Sequence, residues 1–225
     1  MENRLAVFDL DGTLLDTIGD LAESCNFMLR KRGLTEYGYD DYCHFVGNGI
    51  TRLVERALPE ELRTADYVAA ARRDFVDYYI DHIDLHTKPY DGIPELVDTL
   101  YRSGWKLAVA SNKFNDGTRK LVNKFFPDIR FSAVYGNRDG VPLKPDAALL
   151  RQIMAECGSS PEKCWMIGDS GIDMQTAHNA GTHSIGVSWG FRAREELVEN
   201  GAEHIADKPE DIIAVLAGKS KKQSL

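Results

Sequence analysis

Two aspartates one residue apart, Asp9 and Asp11, close the apolar run Ala6-Val7-Phe8 within AVFDLDGTLLD, residues 6–16. Carboxylates are costly to bury, so a buried strand that ends in two of them asks for a chemical reason. Other polar groups share that setting: Ser111-Asn112-Lys113 follows the apolar run 106–110, Lys144 precedes a helical segment, and Gly168-Asp169-Ser170 with Asp173 follows Cys164 to Ile167. Carboxylates brought together raise one another's pKa unless a cation offsets them. A hard divalent ion is the natural partner, and magnesium suits one or two carboxylates shared with water and phosphate. A lysine beside such a centre completes a cradle for a phosphoryl group. A carboxylate held in line with phosphorus can attack it and form an aspartyl-phosphate.

These residues need elements to bring them together. Leu5 to Phe8, Lys106 to Ala110, Phe131 to Tyr135, Cys164 to Ile167 and His183 to Val187 read as strands. Helical patterns lie between them, at Ile93 to Tyr101, Thr118 to Phe126, Asp146 to Cys157, Ile172 to Ala180 and Ala193 to Asn200. Strands alternating with helices predict an α/β protein with a parallel sheet covered on both faces. Residues 17–85 break the alternation. Leu21, Cys25, Met28 and Leu29 recur at helical spacing, as do Ile50, Leu53, Val54, Ala57 and Leu58, and then Val68, Ala71, Phe75 and Tyr78. That stretch reads as a helical bundle inserted after the first strand. The tail Gly218 to Leu225, with Lys219, Lys221 and Lys222, reads as frayed and solvated.

Composition narrows the classes. A net charge of −8 argues against a general nucleic-acid binder, which usually presents a basic face. No charged-then-apolar leader and no apolar stretch near membrane-spanning length is seen, so a cytoplasmic protein is expected. Cys25, Cys43, Cys157 and Cys164 form no CxxC pair and read as buried free thiols.

Each motif has an ordinary explanation when taken alone. Asp-Gly is often a turn. Ser111 suits the polar end of a strand, Lys144 a solvated surface, and Ser170 a helix cap. A calcium loop of the EF-hand type is excluded, because Leu14 and Leu15 fall where later ligands belong and no closing glutamate follows. In a parallel sheet, however, ligands bind outside the carboxyl ends of the strands, and these groups stand at four such points.

Taken together, FDLDGTLLDT, VASNK, Lys144 of LKPD and IGDSGIDMQTAHNAG resemble the four motifs of the haloacid dehalogenase-like hydrolase superfamily. The resemblance implies a Rossmann-like core over residues 1–16 and 86–225, with an α-helical cap over 17–85. It implies that Asp9 is the phosphorylated nucleophile and that Asp11 is the acid and later the base. It further implies a Mg2+ ion held by the Asp9 carboxylate, the Asp11 carbonyl and Asp169, with Asp173 in support. Gly12, Ser111, the Asn112 backbone and Lys144 are implied around the phosphoryl group. Having both Asp9 and Asp11 favours phosphoester hydrolysis over carbon–halogen cleavage.

The cap stretch FVGNGITRLVERAL, Phe45 to Leu58, and GVSWGF, Gly186 to Phe191, resemble segments of the phosphoglycolate phosphatase subgroup. Gly47-Asn48-Gly49 at the start of a helix suits a small anion, or serves as a turn that needs glycine geometry. Arg52 faces either a substrate carboxylate or solvent. One departure is that Ala147 or Ala148 stands where many relatives carry a second proline after the lysine. The expected partner is a small phosphorylated metabolite, with no nucleic acid and no membrane, and the expected assembly is a monomer or homodimer. A pyrophosphatase, a β-phosphoglucomutase-type phosphosugar mutase and a non-enzymatic phosphate-binding regulator are the alternatives.

Overall fold

The strand that carries the paired aspartates lies at the heart of the protein. In the computed structural model, which describes residues 3–218, β1 (Leu5–Phe8) is completely buried along its length. Ala6 and Phe8 enter one apolar cluster, while Leu5 and Val7 enter the other, as the two-residue period of a strand requires. A strand apolar on both faces is the mark of a parallel sheet covered on both sides. Burying a side chain such as Phe8 contributes about 1.5–3 kcal/mol. The expectation for 219–225 lies outside the described residues.

β1 pairs in parallel with β4 (Lys106–Phe114) and with β6 (Cys164–Gly168). The sheet extends through β5 (Ala133–Asn137) on one side and through β7 (His183–Val187) and β8 (His204–Ala206) on the other. Its order is β5-β4-β1-β6-β7-β8, and every pairing is parallel. Helices α5 (Ile93–Arg102) and α10 (Pro209–Leu216) put Leu96, Val97, Ile212 and Val215 into one cluster. Helices α7 (Ala148–Cys157) and α8 (Gly171–Ala180) put Leu150, Ile153, Met154 and Ala177 into the other. The remaining core helices are α6 (Asn115–Phe125) and α9 (Arg194–Glu199). The α/β parallel-sheet fold read from the sequence is borne out.

Between β2 (Leu15–Asp16) and β3 (Lys88–Pro89), the described residues form helices and turns with no strand. Helices α1 (Ile18–Lys31), α2 (Tyr39–Phe45), α3 (Ile50–Ala57) and α4 (Ala65–His82) pack on one another, α1 and α3 both against α4; this group is called the cap below. The excursion is tied off where β2 and β3 pair antiparallel, Leu15 opposite Pro89 and Asp16 opposite Lys88. Just inside, buried Asp20 accepts bonds from the His86 and Thr87 N–H groups and from Thr87 Oγ1 at 2.6–2.9 Å. Outgoing and returning chains are thereby clasped together.

Several details differ from the sequence reading. β4 continues to Phe114, past the expected end at Ala110, because its register with β5 shifts and resumes at Phe114–Asn137. β8 and α10 had no counterpart in the expectation. On α4 the buried face is Val68, Ala71, Phe75 and Tyr79, whereas Tyr78 turns outward to stack on Phe27 and His82. Cys25, Cys157 and Cys164 are buried and unpaired, but Cys43 is only half-buried. Among the described residues no helix is long and apolar enough to cross a membrane.

Candidate active site

At the end of β1 the chain turns at once. The Leu10 carbonyl accepts the N–H groups of Thr13, Leu14 and Leu15, while Gly12 N–H donates to the Leu15 carbonyl. Gly12 adopts φ +83°, a left-handed value that glycine takes without steric cost. A Cβ there would also lie 2.4 Å from Asp169 Oδ2. This turn leaves Asp9 and Asp11 on one rim of the sheet, with the Asp9 Oδ1 atom accepting Leu10 N–H at 2.7 Å.

Lys144 bridges two carboxylates, Asp9 just after β1 and Asp173 in the first turn of α8. Its Nζ lies 3.0 Å from Asp9 Oδ1 and 2.6 Å from Asp173 Oδ1, with the side chain almost wholly buried. The Asn112 side chain fixes this lysine by its backbone: Oδ1 accepts Lys144 N–H at 2.9 Å and Nδ2 donates to the Lys144 carbonyl at 3.1 Å. Burial works against the ammonium charge, but Asp173 and Asp9 outweigh it and hold the Lys144 pKa above its ordinary value. Asp173 is fully committed, since its Oδ2 also accepts the Ser170 N–H and hydroxyl at the start of α8.

Asp169 is different. Its acceptors take neutral donors, Thr13 Oγ1 at 3.2 Å and the Phe191 N–H at 2.8 Å. Burial first, then Asp173 and Asp9, push its carboxyl up to about 8. Burial likewise pushes Asp9 up to about 7, with Lys144 pulling the other way. Oxygen atoms of Asp9, Asp169 and Asp173 lie within 4.8 Å of one another. A buried oxygen cluster with an unneutralised carboxylate fits a hard divalent cation. Gly190 makes room for the Asp169 side chain: a Cβ there would fall 2.2 Å from Asp169 Cβ and 2.4 Å from the Gly12 carbonyl.

The cap closes this edge. A cavity of about 50 Å³ lies under it, with Asp9, Asp11, Ser111, Lys113 and Asp169 below and Leu21, Val46, Ile50 and Leu53 above. Two core side chains grip the backbone of the cap loop. Asn112 Nδ2 donates to the Gly47 carbonyl at 3.1 Å, and Arg192 Nη2 donates to the Val46 carbonyl at 2.7 Å and the His44 carbonyl at 3.3 Å.

Comparison with known proteins fits this geometry. A family model described as haloacid dehalogenase-like hydrolase matches residues 6–187. The chain belongs to the haloacid dehalogenase-like hydrolase family. The phosphoglycolate phosphatase of Agrobacterium fabrum is 36% identical over 190 residues, covering 83% of this chain and 81% of that protein. The phosphoglycolate phosphatase of Aquifex aeolicus is 29% identical over 213 residues, covering 95% and 96% respectively. A solved structure of a protein from Lactobacillus delbrueckii subsp. bulgaricus matches with a TM-score of 0.90 at 33% identity, over 96% of this chain and 99% of that one.

The resemblance read from the four motifs is thus borne out; the family points to metal use in general, and the acidic cluster of Asp9, Asp169 and Asp173 is present. The fold gathers Asp9, Asp11, Ser111, Asn112, Lys144, Asp169 and Asp173 along the carboxyl edge, together with Gly12 beneath Asp169. Gly47 and Gly49 line the cavity, but Asn48 turns away to accept a bond from Arg56. Of the two readings left open for Arg52, the structure places it toward solvent: 63% of its side chain is exposed, it pairs with Glu55, and it does not line the cavity. Residues 45–58 present Leu53 inward, and one position earlier on a helix faces outward.

The sequence reading gave no role to Lys113, Tyr79, Thr13, Trp189 or Arg192. The GVSWGF loop was noticed only as a likeness; it braces the site, with Trp189 Nε1 donating to the Thr13 carbonyl at 3.1 Å and Phe191 N–H to Asp169. Lys113 stood in the VASNK motif as a visible signal, and its Nζ proves to lie 3.0 Å from Asp11 Oδ1.

Proposed function

We propose that the protein is a magnesium-dependent phosphatase that hydrolyses a small phosphomonoester, 2-phosphoglycolate before others, through a phosphorylated Asp9. The observation that carries the reading is Asp9 on the floor of a cap-covered cavity, with buried Lys144 at 3.0 Å and an acidic cluster beside it. The names of the Agrobacterium and Aquifex relatives support the choice of substrate. Four unpaired cysteines suit a cytoplasmic setting, and a monomer or homodimer is the assembly we expect.

In the first step an Asp9 carboxylate oxygen attacks phosphorus as the ester P–O bond breaks. Asp11 delivers its proton to the departing oxygen, and the alcohol leaves. Asp11, now a carboxylate, takes a proton from a water whose oxygen attacks the same phosphorus. The bond to Asp9 breaks, giving phosphate and a free carboxylate. Lys144, the Ser111 hydroxyl and the Asn112 N–H offset charge on the phosphoryl oxygens throughout. Asp9, Asp169 and the Asp11 carbonyl, supported by Asp173, would hold Mg2+, which supplies the positive charge that keeps Asp9 ionised.

The test is kcat/KM with magnesium for 2-phosphoglycolate beside pyrophosphate, β-glucose 1-phosphate and an aryl phosphate. A clear preference for 2-phosphoglycolate, abolished by EDTA, is the expected result. Turnover of the aryl phosphate with indifference to 2-phosphoglycolate overturns the substrate and keeps the mechanism. Conversion of glucose 1-phosphate to an isomeric sugar phosphate would make the protein a mutase.

A further inference from the structure

The phosphoryl end of the cavity is accounted for, yet a carboxylated ester also needs a cation at its other end. Arg52, the residue the sequence suggested, is exposed and paired with Glu55. Arg56 is spent on the Phe45 carbonyl and Asn48, and Arg192 on the carbonyls of the cap loop. Lys144 stands between Asp9 and Asp173. Lys113 remains.

We propose that Lys113 receives the carboxylate of the substrate and so selects phosphoesters that carry a second acid group close to the ester oxygen; this rests on the phosphatase reading above. Three observations place it there. Its side chain is only 2% exposed and it lines the cavity floor. Its Nζ donates to Asp11 Oδ1 at 3.0 Å and to the hydroxyl of Tyr79, a cap residue, which leaves one of three N–H donors unspent. The third observation is reach. An acid that protonates the ester oxygen sits one hydrogen bond from it, so a group 3.0 Å beyond that acid lies within ~6 Å of the oxygen. A carboxylate one carbon from the ester oxygen, plus its own hydrogen bond to an ammonium, spans that distance.

Tyr79 adds a condition. Its ring centroid lies 4.7 Å from Lys113 Nζ, and it descends from α4, so the ammonium is held on its cap side only while the cap is down. Carboxylate recognition and cap closure therefore meet at one atom.

The experiment compares 2-phosphoglycolate with 2-hydroxyethyl phosphate, the same ester with a hydroxyl in place of the carboxylate. We expect Lys113→Gln to lower the ratio of the two kcat/KM values by about 10–100-fold, chiefly through KM for the acid, as loss of a buried charged hydrogen bond requires. Lys113→Arg should restore part of that ratio. Glycolate should compete with substrate in the unmodified enzyme, and ethylene glycol should not, which tests the assignment even if Lys113→Gln fails to fold. Equal losses on both esters would mean that Lys113 serves Asp11 alone and would overturn the assignment. So would competition by glycolate and ethylene glycol at matching concentrations. If the unmodified enzyme hydrolyses an aryl phosphate but neither ester, the 2-phosphoglycolate reading fails and this one falls with it. If it hydrolyses no phosphoester, the phosphatase reading itself fails; an unmoved ratio in an active enzyme sinks only the role of Lys113.

Discussion

A carboxylate that attacks phosphorus has to be ionised, and in the metal-free protein burial holds Asp9 near 7 and Asp169 near 8. Both values are raised from 3.8, so the folded state keeps protons that the unfolded chain has already released at neutral pH. The linked stability is fully present below pH 4 and is lost as pH rises through about 7 and then 8. We therefore expect the metal-free Tm to fall between pH 5 and 8.5, relative to an Asp169→Asn variant in the same buffers. A divalent ion should return the loss, by more at the upper end of the range. Calorimetric scans with EDTA and with magnesium measure both, and parallel pH profiles for the two proteins contradict the account. At this scale Asp9, Asp169 and Lys144 were legible in the sequence because strand ends in a parallel sheet announce themselves. The sequence left Arg52 open between substrate and solvent because an eight-residue helix leaves little pattern to separate its two faces. Tyr79 was missed by one position, since over the 18 residues of α4 the buried stripe drifts away from the 3-4-3 spacing assumed.

The elements that hold the site are mostly loops pinned to strands. Asp169 leans on two of them: Gly12 lies below and Gly190 beside it, while Thr13 and Phe191 donate to its oxygens. Adding a methyl group at Gly190 would press on the Asp169 side chain and the Gly12 carbonyl at once, and backbone cannot swing aside as a long side chain can. Gly190→Ala should weaken magnesium binding by about 10–100-fold while leaving overall secondary structure intact. Titration of activity against magnesium measures the first, and circular dichroism checks the second. Unchanged affinity would show that the loop after β7 has slack. Local signals explain which elements were legible. Five strands were marked by apolar runs, but β8 is three residues long, and His204-Ile205-Ala206 offers too little alternation to register. Helix α10 carried a usable sign in Lys-Pro-Glu-Asp, with proline in its first turn and Asp211 reaching back to the Lys208 N–H.

On the scale of the whole molecule, two chain crossings join the cap to the sheet, at β2 and β3, with Asp20 clasping the strands just beyond. We propose that the cap swings on this neck, with hinges near Asp16-Thr17 and Pro89–Gly92. Water must be excluded during transfer and admitted for hydrolysis, so a cap that cannot lift should not turn over. A reducible bifunctional thiol reagent joining cysteines introduced at Val46 and Arg192, whose guanidinium reaches the Val46 carbonyl across the cleft, should stall turnover until a reductant is added. Full activity in the cross-linked form would rule out cap motion as a required step. The α/β class and the helical excursion were legible because alternation and helical spacing are long patterns. The contacts between cap and core were not, since they join residues as far apart as 46 and 192.

The cap is gripped by its main chain. Asn112 and Arg192 hold the carbonyls of His44, Val46 and Gly47, and every residue type possesses a carbonyl. That part of the latch is therefore blind to which side chains the cap displays, whereas Leu21, Ile50 and Leu53, which line the cavity, take no part in it. The main-chain grip and the apolar roof are inherited separately, and only the Tyr79–Lys113 contact ties a cap side chain to closure. Those three positions can be randomised to seek new phosphoesters, and each member of such a library should still shut over the same chemistry.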